Sequence, residues 1–248
     1  MKKLLYLVFA SVLLVSCQIT ERAYIEENGS VRYETELNFS EMIGMVYNDA
    51  TKDSLRQIGQ FPIDSVMNFS DLEKMEPQSD QKEMSAGERD FMKVLDKMKV
   101  HMLVNDNEGK VTFGIQEKDI NSFNAYMKQI QAASEKLAKE DPDAAENFSK
   151  SGLMNPMEFQ YNGKSFQRIA SNQTAGIFDD MNDSTANSMK QMMGMFQYKM
   201  EYHFPKKIKN SSIENATYSL DGKTMTIDVS MTELIENPEK YNFKIEFE

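Results

Sequence analysis

Four turn signals limit what this chain can become. Asn28-Gly29, residues 107–109, Asn162-Gly163 and Asp221-Gly222 each stand between segments in which apolar and polar residues alternate. Asn-Gly and Asp-Gly are favoured in tight hairpins, the type I′ turn above all, because both central residues must take left-handed backbone. The first signal is the clearest. Residues 19–27 lead in, and Val31, Tyr33, Thr35, Leu37 and Phe39 then alternate with Arg32, Glu34, Glu36 and Asn38, the period of a strand with one wet face. Val100, Met102 and Val104 before the second turn, with Val111, Phe113 and Ile115 after it, repeat the pattern. Phe159 and Tyr161 with Phe166 and Ile169 do the same around the third. Phe196, Tyr198, Met200, Tyr202 and Phe204 make a strand ended by Pro205. Met225, Ile227, Val229 and Met231 return from the fourth turn, and Phe243, Ile245 and Phe247 close the chain.

Helical periods fall between these strands. Met42, Met45 and Val46 predict a short helix. Ser85 and Glu88 form a capping box, each side chain satisfying a backbone amide of the first turn, and Phe91, Val94, Leu95 and Met98 follow at helical spacing. Asp119 reads as an N-cap for a long amphipathic helix through Ile120, Phe123, Met127, Ile130 and Leu137. Residues 139–156, with Pro142 and Pro156, read as a connection. Residues 174–195 are polar, Met-rich and helical in their second half. Few strand–helix–strand spacings occur, so the predicted class is α+β, an antiparallel or mixed sheet built from hairpins and packed with amphipathic helices. Residues 17–248 read as one such domain.

The first residues are an address. Lys2 and Lys3 precede an uncharged apolar run over residues 4–15, too short for the roughly 20 residues of a spanning helix and right for a signal peptide. Leu14-Val15-Ser16-Cys17 resembles the bacterial lipobox. That resemblance implies cleavage after residue 16, diacylglycerol on the Cys17 sulfur and a fatty acid such as palmitate on the new amine. A buried methylene contributes about 0.8 kcal/mol, so two or more chains hold a protein on a membrane where one does not. Cys17 is the single Cys of the 248 residues. It has no partner for an internal disulfide, and a thioether removes an otherwise free thiol from an oxidising compartment. Cleavage removes Lys2 and Lys3 and no acid, moving the net charge from −11 to −13. Such an acidic body excludes nucleic acid as a partner, since phosphate-backbone binding needs a basic face.

Further residues carry a broader likeness. Ile19-Thr20-Glu21 before the first hairpin, Tyr202-His203-Phe204-Pro205-Lys206-Lys207-Ile208, and Tyr218-Ser219-Leu220-Asp221-Gly222-Lys223-Thr224 resemble uncharacterised lipoproteins of the Bacteroidota, over about a third of the chain. The tail is also similar to a mycobacterial lipoprotein domain with a Phe-Pro step before a hairpin. Neither family brings a known active site. In the first, an acidic run after the Cys resembles a surface-export signal. Gln18-Ile19-Thr20-Glu21-Arg22 departs from it, which implies an anchor facing the periplasm. Gln18 also differs from the Asp that retains proteobacterial lipoproteins in the inner membrane, which implies the inner leaflet of the outer membrane. Asp53-Ser54-Leu55, Asp64-Ser65-Val66 and Asp183-Ser184-Thr185 resemble the O-glycosylation triplet of that phylum, making Ser54, Ser65 and Ser184 candidate sites.

Enzyme constellations are sparse. His101 and His203 lie on different strands without a second His at metal-ligand spacing, and no G-x-S-x-G elbow or phosphate-cradling glycine loop occurs. The neighbouring carboxylates Glu26-Glu27 and Asp179-Asp180 do not converge if extended, because adjacent strand residues point oppositely. Asp106-Asn107-Glu108-Gly109 fails the EF-hand register and reads as a hairpin turn. One anomaly stands out among the 20 Met: Met181, Met189, Met192, Met193, Met195 and Met200 crowd one segment. Met189, Met192 and Met193 share a helix face, and with Met195 they could line a pliable apolar groove or offer soft thioether ligands to Cu(I). The expectation is therefore a lipid-anchored, non-catalytic binding or structural module with no cofactor beyond its acyl chains. Its partners would be the membrane and other envelope proteins. A carrier of a hydrophobic ligand or Cu(I) through residues 181–200 is the alternative.

Overall fold

The structure, a computed structural model, describes residues 18–71, 84–142, 157–170, 183–194 and 196–248. In chain order its strands are β1 (Gln18–Ile25), β2 (Val31–Asn38), β3 (Ile63–Asn68), β4 (Lys99–Val104), β5 (Gly109–Glu117), β6 (Met157–Tyr161), β7 (Ser165–Ala170), β8 (Gln197–His203), β9 (Ile208–Ser211), β10 (Ala216–Tyr218), β11 (Thr224–Ser230) and β12 (Phe243–Phe247). The α-helices are α1 (Ile43–Val46), α2 (Asp49–Gln57), α3 (Ala86–Leu95), α4 (Ile120–Glu140), α5 (Asp183–Met193) and α6 (Met231–Glu236). The fold is α+β.

Two sheets form. The larger runs β10-β11-β8-β1-β2-β5-β4-β3 and the smaller β6-β7-β12-β9. Pairing is antiparallel except between β1 and β8, which run parallel with Ile19 opposite Tyr198 and Ala23 opposite Tyr202. Alternation decides what each face does. On β1, β2 and β8, Ile19, Ala23, Ile25, Val31, Tyr33, Tyr198, Met200 and Tyr202 face inward and are buried, while Arg22, Arg32, Glu34, Lys199 and Glu201 face out. Part of the inner face is covered by the smaller sheet: Tyr202 meets Phe243 edge-on at 4.9 Å and Phe204 meets Phe247 at 5.2 Å. Helices α3 and α4 add to the same core, where Phe123 stacks on Phe159 at 4.6 Å and Tyr33 tilts against it at 5.7 Å.

The predicted caps are present. Ser85 Oγ accepts from Glu88 N–H while Glu88 reaches back to Ser85 N–H, and Asp119 Oδ1 accepts from Ser122 N–H at 2.7 Å. The turns differ from expectation. Gly29, Gly163 and Gly222 take left-handed backbone, with φ of 82°, 78° and 69°, but Asn28, Asn162 and Asp221 do not, so none is type I′. Each Asn or Asp uses its side chain instead. Asn28 Oδ1 accepts from Ser30 N–H at 2.9 Å, Asn162 Oδ1 from Ser165 N–H at 2.8 Å and Asp221 Oδ1 from Lys223 N–H at 3.0 Å. The side-chain bond turns the chain, and glycine supplies the one left-handed step. Met231, expected on a strand, is the first residue of α6.

A small second cluster packs Ile43, Phe61 and Val104 beside Phe39. Here Gly109 is required by close approach: a Cβ would lie 2.4 Å from the Phe39 ring and 2.8 Å from Ile43 Cδ1. Gly109→Ala is expected to cost about 1–3 kcal/mol through overpacking. It should appear as a lower urea midpoint at unchanged slope. Parental stability would show that Phe39 moves aside freely.

Candidate functional site

Two features of the structure have the chemistry to matter, and neither was read from sequence as a candidate site. The first is buried between the sheets. Glu21 on β1 and Arg168 on β7 are both fully buried, with Arg168 Nε 3.4 Å from Glu21 Oε1. Tyr198 donates to Glu21 Oε2 at 2.9 Å, and Tyr202 donates to Glu21 Oε1. Arg168 Nε donates to the Tyr202 hydroxyl at 2.8 Å and Nη1 to the Tyr241 carbonyl at 3.2 Å. Nη2 has no partner among the described residues. Burial, with the Glu21 charge adding to it, holds the Tyr33, Tyr198 and Tyr202 phenols well above their ordinary range. Charge from one sheet thus meets charge from the other in a closed interior. The pair joins β1 of the larger sheet to β7 of the smaller.

A sequence signal for this cluster existed. Glu21 shares a register with Ile19, Ala23 and Ile25, and Arg168 shares one with Phe166 and Ala170, so each charge sits on an otherwise apolar face. A charge in that position must be paired inside the protein.

The second feature lies at one end of the larger sheet. Because β1 and β8 are parallel and their other neighbours antiparallel, the β1–β2 turn, the residues after β5 and β8, and the β10–β11 turn all gather there. The β6–β7 turn joins them: Lys206 Nζ donates to the Gly163 carbonyl at 2.9 Å. Between the turns is a cleft of about 550 Å³, lined by Glu27, Asn28, Asn121, Gln160, Tyr161 and Asn162 among others. Its walls are tied down. Asn124 clamps α4 to β6, donating from Nδ2 to the Phe159 carbonyl at 2.8 Å and accepting from Phe159 N–H at 2.9 Å. Asp119 is held below its usual carboxylate range by the Ser122 amide of the helix it caps. The Tyr161 hydroxyl is buried without a partner among the described residues, and burial, with Glu27 adding to it, raises it.

The residues expected from sequence fall as follows. Cys17 and Met195 lie outside the described residues. Met189 and Met192 are on α5, where their side chains are outside the description, and Met193 is buried in the main core. Ser54 on α2 and Ser65 on β3 are exposed; Ser184 is on α5. His101 Nε2 is 2.8 Å from Asp64, and His203 Nε2 is 2.6 Å from Glu201 with its ring stacked on Tyr24 at 4.3 Å. Residues 105–108 are a turn closed by Asn105 and Glu108, and Arg56 and Lys52 meet the Asp106 carboxylate. Among the described residues no group of three or more His, Cys, Asp or Glu is arranged to hold a metal.

No protein-family model and no curated protein matches the chain, so the resemblance to Bacteroidota lipoproteins stands on the residues quoted for it. Among solved structures, the chain is similar to the folded domain of the Mycobacterium tuberculosis LppM protein, determined by NMR. The match covers 94% of this chain and 89% of that one, at 8% identity and a TM-score of 0.38.

Proposed function

We infer that the chain is a lipid-anchored lipoprotein of the cell envelope whose body is a non-catalytic binding module. The observation that carries this reading is the position of β1. The strand begins at Gln18, directly after the Cys17 of the lipobox, and lies inside the larger sheet between β2 and β8. Lipids on Cys17 would therefore hold the fold without a spacer. The sheet end carrying Gln18, Asn38, Gln197 and Ser230 would face the bilayer. The cleft end would stand away from it by the length of β1, roughly 25 Å at about 3.3 Å per residue. In this reading the protein sits on the inner leaflet of the outer membrane, with its turns and cleft offered to the periplasm. The exposed Ser54 and Ser65 hydroxyls are compatible with glycosylation there. The carrier alternative needs thioethers on a cavity, and the packing of Met193 in the core gives it no support.

The anchor is tested by mass spectrometry of the N-terminal peptide. The expected result is Cys17 at the mature terminus with a thioether-linked diacylglyceryl group, abolished in Cys17→Ser. An unmodified Cys17 in protein extracted from the native envelope would overturn the reading.

A further inference from the structure

The cleft between the turns is lined for a particular chemistry. Alongside Asp119 and Glu158, its side chains include the carboxylate of Glu27 and the amides of Asn28, Asn121, Gln160 and Asn162, with the Tyr161 ring among them. Neither Lys, Arg nor His lines it, so nothing in the wall neutralises a phosphate or carboxylate. The acids do not add up to a cation site either. Asp119 is committed to the α4 N-terminus and Glu158 lies 4.0 Å from Lys128, which leaves Glu27 as the carboxylate without a described cation beside it.

Hydrogen-bonding capacity, by contrast, is left over. The carbonyl oxygens of Asn28 and Asn162 are used by their own turns, so each amide NH2 remains a donor at the rim. Glu27 offers acceptors. Amide donors and carboxylate acceptors on walls fixed by Asn124 match a ligand that is neutral and carries many hydroxyls. The volume, about 550 Å³, falls within the range of small-molecule sites.

We propose that this cleft binds a neutral carbohydrate, a short run of sugar units whose hydroxyls pair with Glu27, Asn28, Asn121 and Asn162. The inference rests on the reading of the chain as a binding module and is independent of its lipid anchor. Loss of one leaves the other standing, because the anchor is read by mass spectrometry of Cys17 and the cleft by ligand titration.

The test uses the full chain in a detergent without a sugar headgroup, titrated calorimetrically with maltotetraose, cellotetraose and triacetylchitotriose. Spermidine and inorganic phosphate serve as cationic and anionic probes. The expected result is saturable binding of at least one oligosaccharide with Kd at or below about 1 mM. Asn121→Ala and Glu27→Ala should each weaken it about tenfold, the loss of one hydrogen bond to a ligand. Both variants should keep the parental Tm, since neither side chain has a described hydrogen-bond or ion-pair partner. Binding of spermidine or phosphate in place of the sugars would overturn the proposal. So would silence from all three sugars, or sugar binding that both variants leave intact.

Discussion

Arg168→Met is expected to lower the unfolding free energy by about 3–5 kcal/mol, the loss typical when one member of a buried ion pair is removed. The reason is what remains. Glu21 stays fully buried with Tyr198 and Tyr202 donating to it, and its charge has lost the Arg168 guanidinium. Glu21→Leu should be as harmful for the mirror reason: the Arg168 guanidinium keeps a phenol and the Tyr241 carbonyl but no counter-charge. For a domain stabilised by roughly 5–15 kcal/mol in all, either change is a large fraction of the total. The double variant Glu21→Leu with Arg168→Met should be less damaged than the sum of the two, because it leaves no orphaned charge. Urea denaturation of the three variants gives the coupling. Single variants within about 1 kcal/mol of the parent, or strict additivity, would show that the sheets do not depend on this pair.

The same cluster sets an upper limit on pH. Tyr33, Tyr198 and Tyr202 ionise well above their ordinary value of 10.0 in the folded protein, because burial and the adjacent Glu21 charge disfavour the phenolate. The unfolded chain has no such penalty. Below about pH 10 the three phenols are neutral in both states and their stabilisation is fully present. Above it the unfolded state gives up protons that the folded state keeps, and stability falls by about 1.4 kcal/mol per pH unit for each group. Three groups together make that about 4 kcal/mol per unit, so the protein should unfold within a few units of pH 10. Tyrosinate absorbance followed beside circular dichroism reads this directly. Part of the signal from the 10 Tyr should rise in step with loss of the fold. Ionisation of all ten near pH 10 with the fold intact would refute the account.

Much of the architecture was legible before any coordinates. The Ser85 and Asp119 caps, the long helix through Phe123 and Leu137, and the four turns are local features, each specified by residues within a few positions of one another. The α+β class followed from them. Local pattern failed where the physics stopped being local. Strands β3 and β9 stand at sheet edges with few buried residues, so they carry little alternation to read. They form because β4 and β12 offer unpaired backbone beside them. The type I′ reading of Asn28-Gly29 assigned two left-handed residues where a side-chain bond and one glycine sufficed.

The candidate sites divide in the same way. Glu21 and Arg168 are each visible as a charge in an apolar register, but 147 positions separate them. Only the packing of one sheet on the other shows that each is the other's partner. The cleft draws on residues 27–29, 119–124 and 158–163, and no spacing rule links those segments.

By itself the sequence determined the helix starts at Ser85 and Asp119 and the hairpins, since a cap and a turn act over a few residues of chain. Tertiary structure alone decided that β1 pairs in parallel with β8, that two distant charges meet in the buried interior, and that two turns and the start of α4 line one cleft. Those outcomes depend on which apolar faces bury each other most completely, and that is a property of the whole chain.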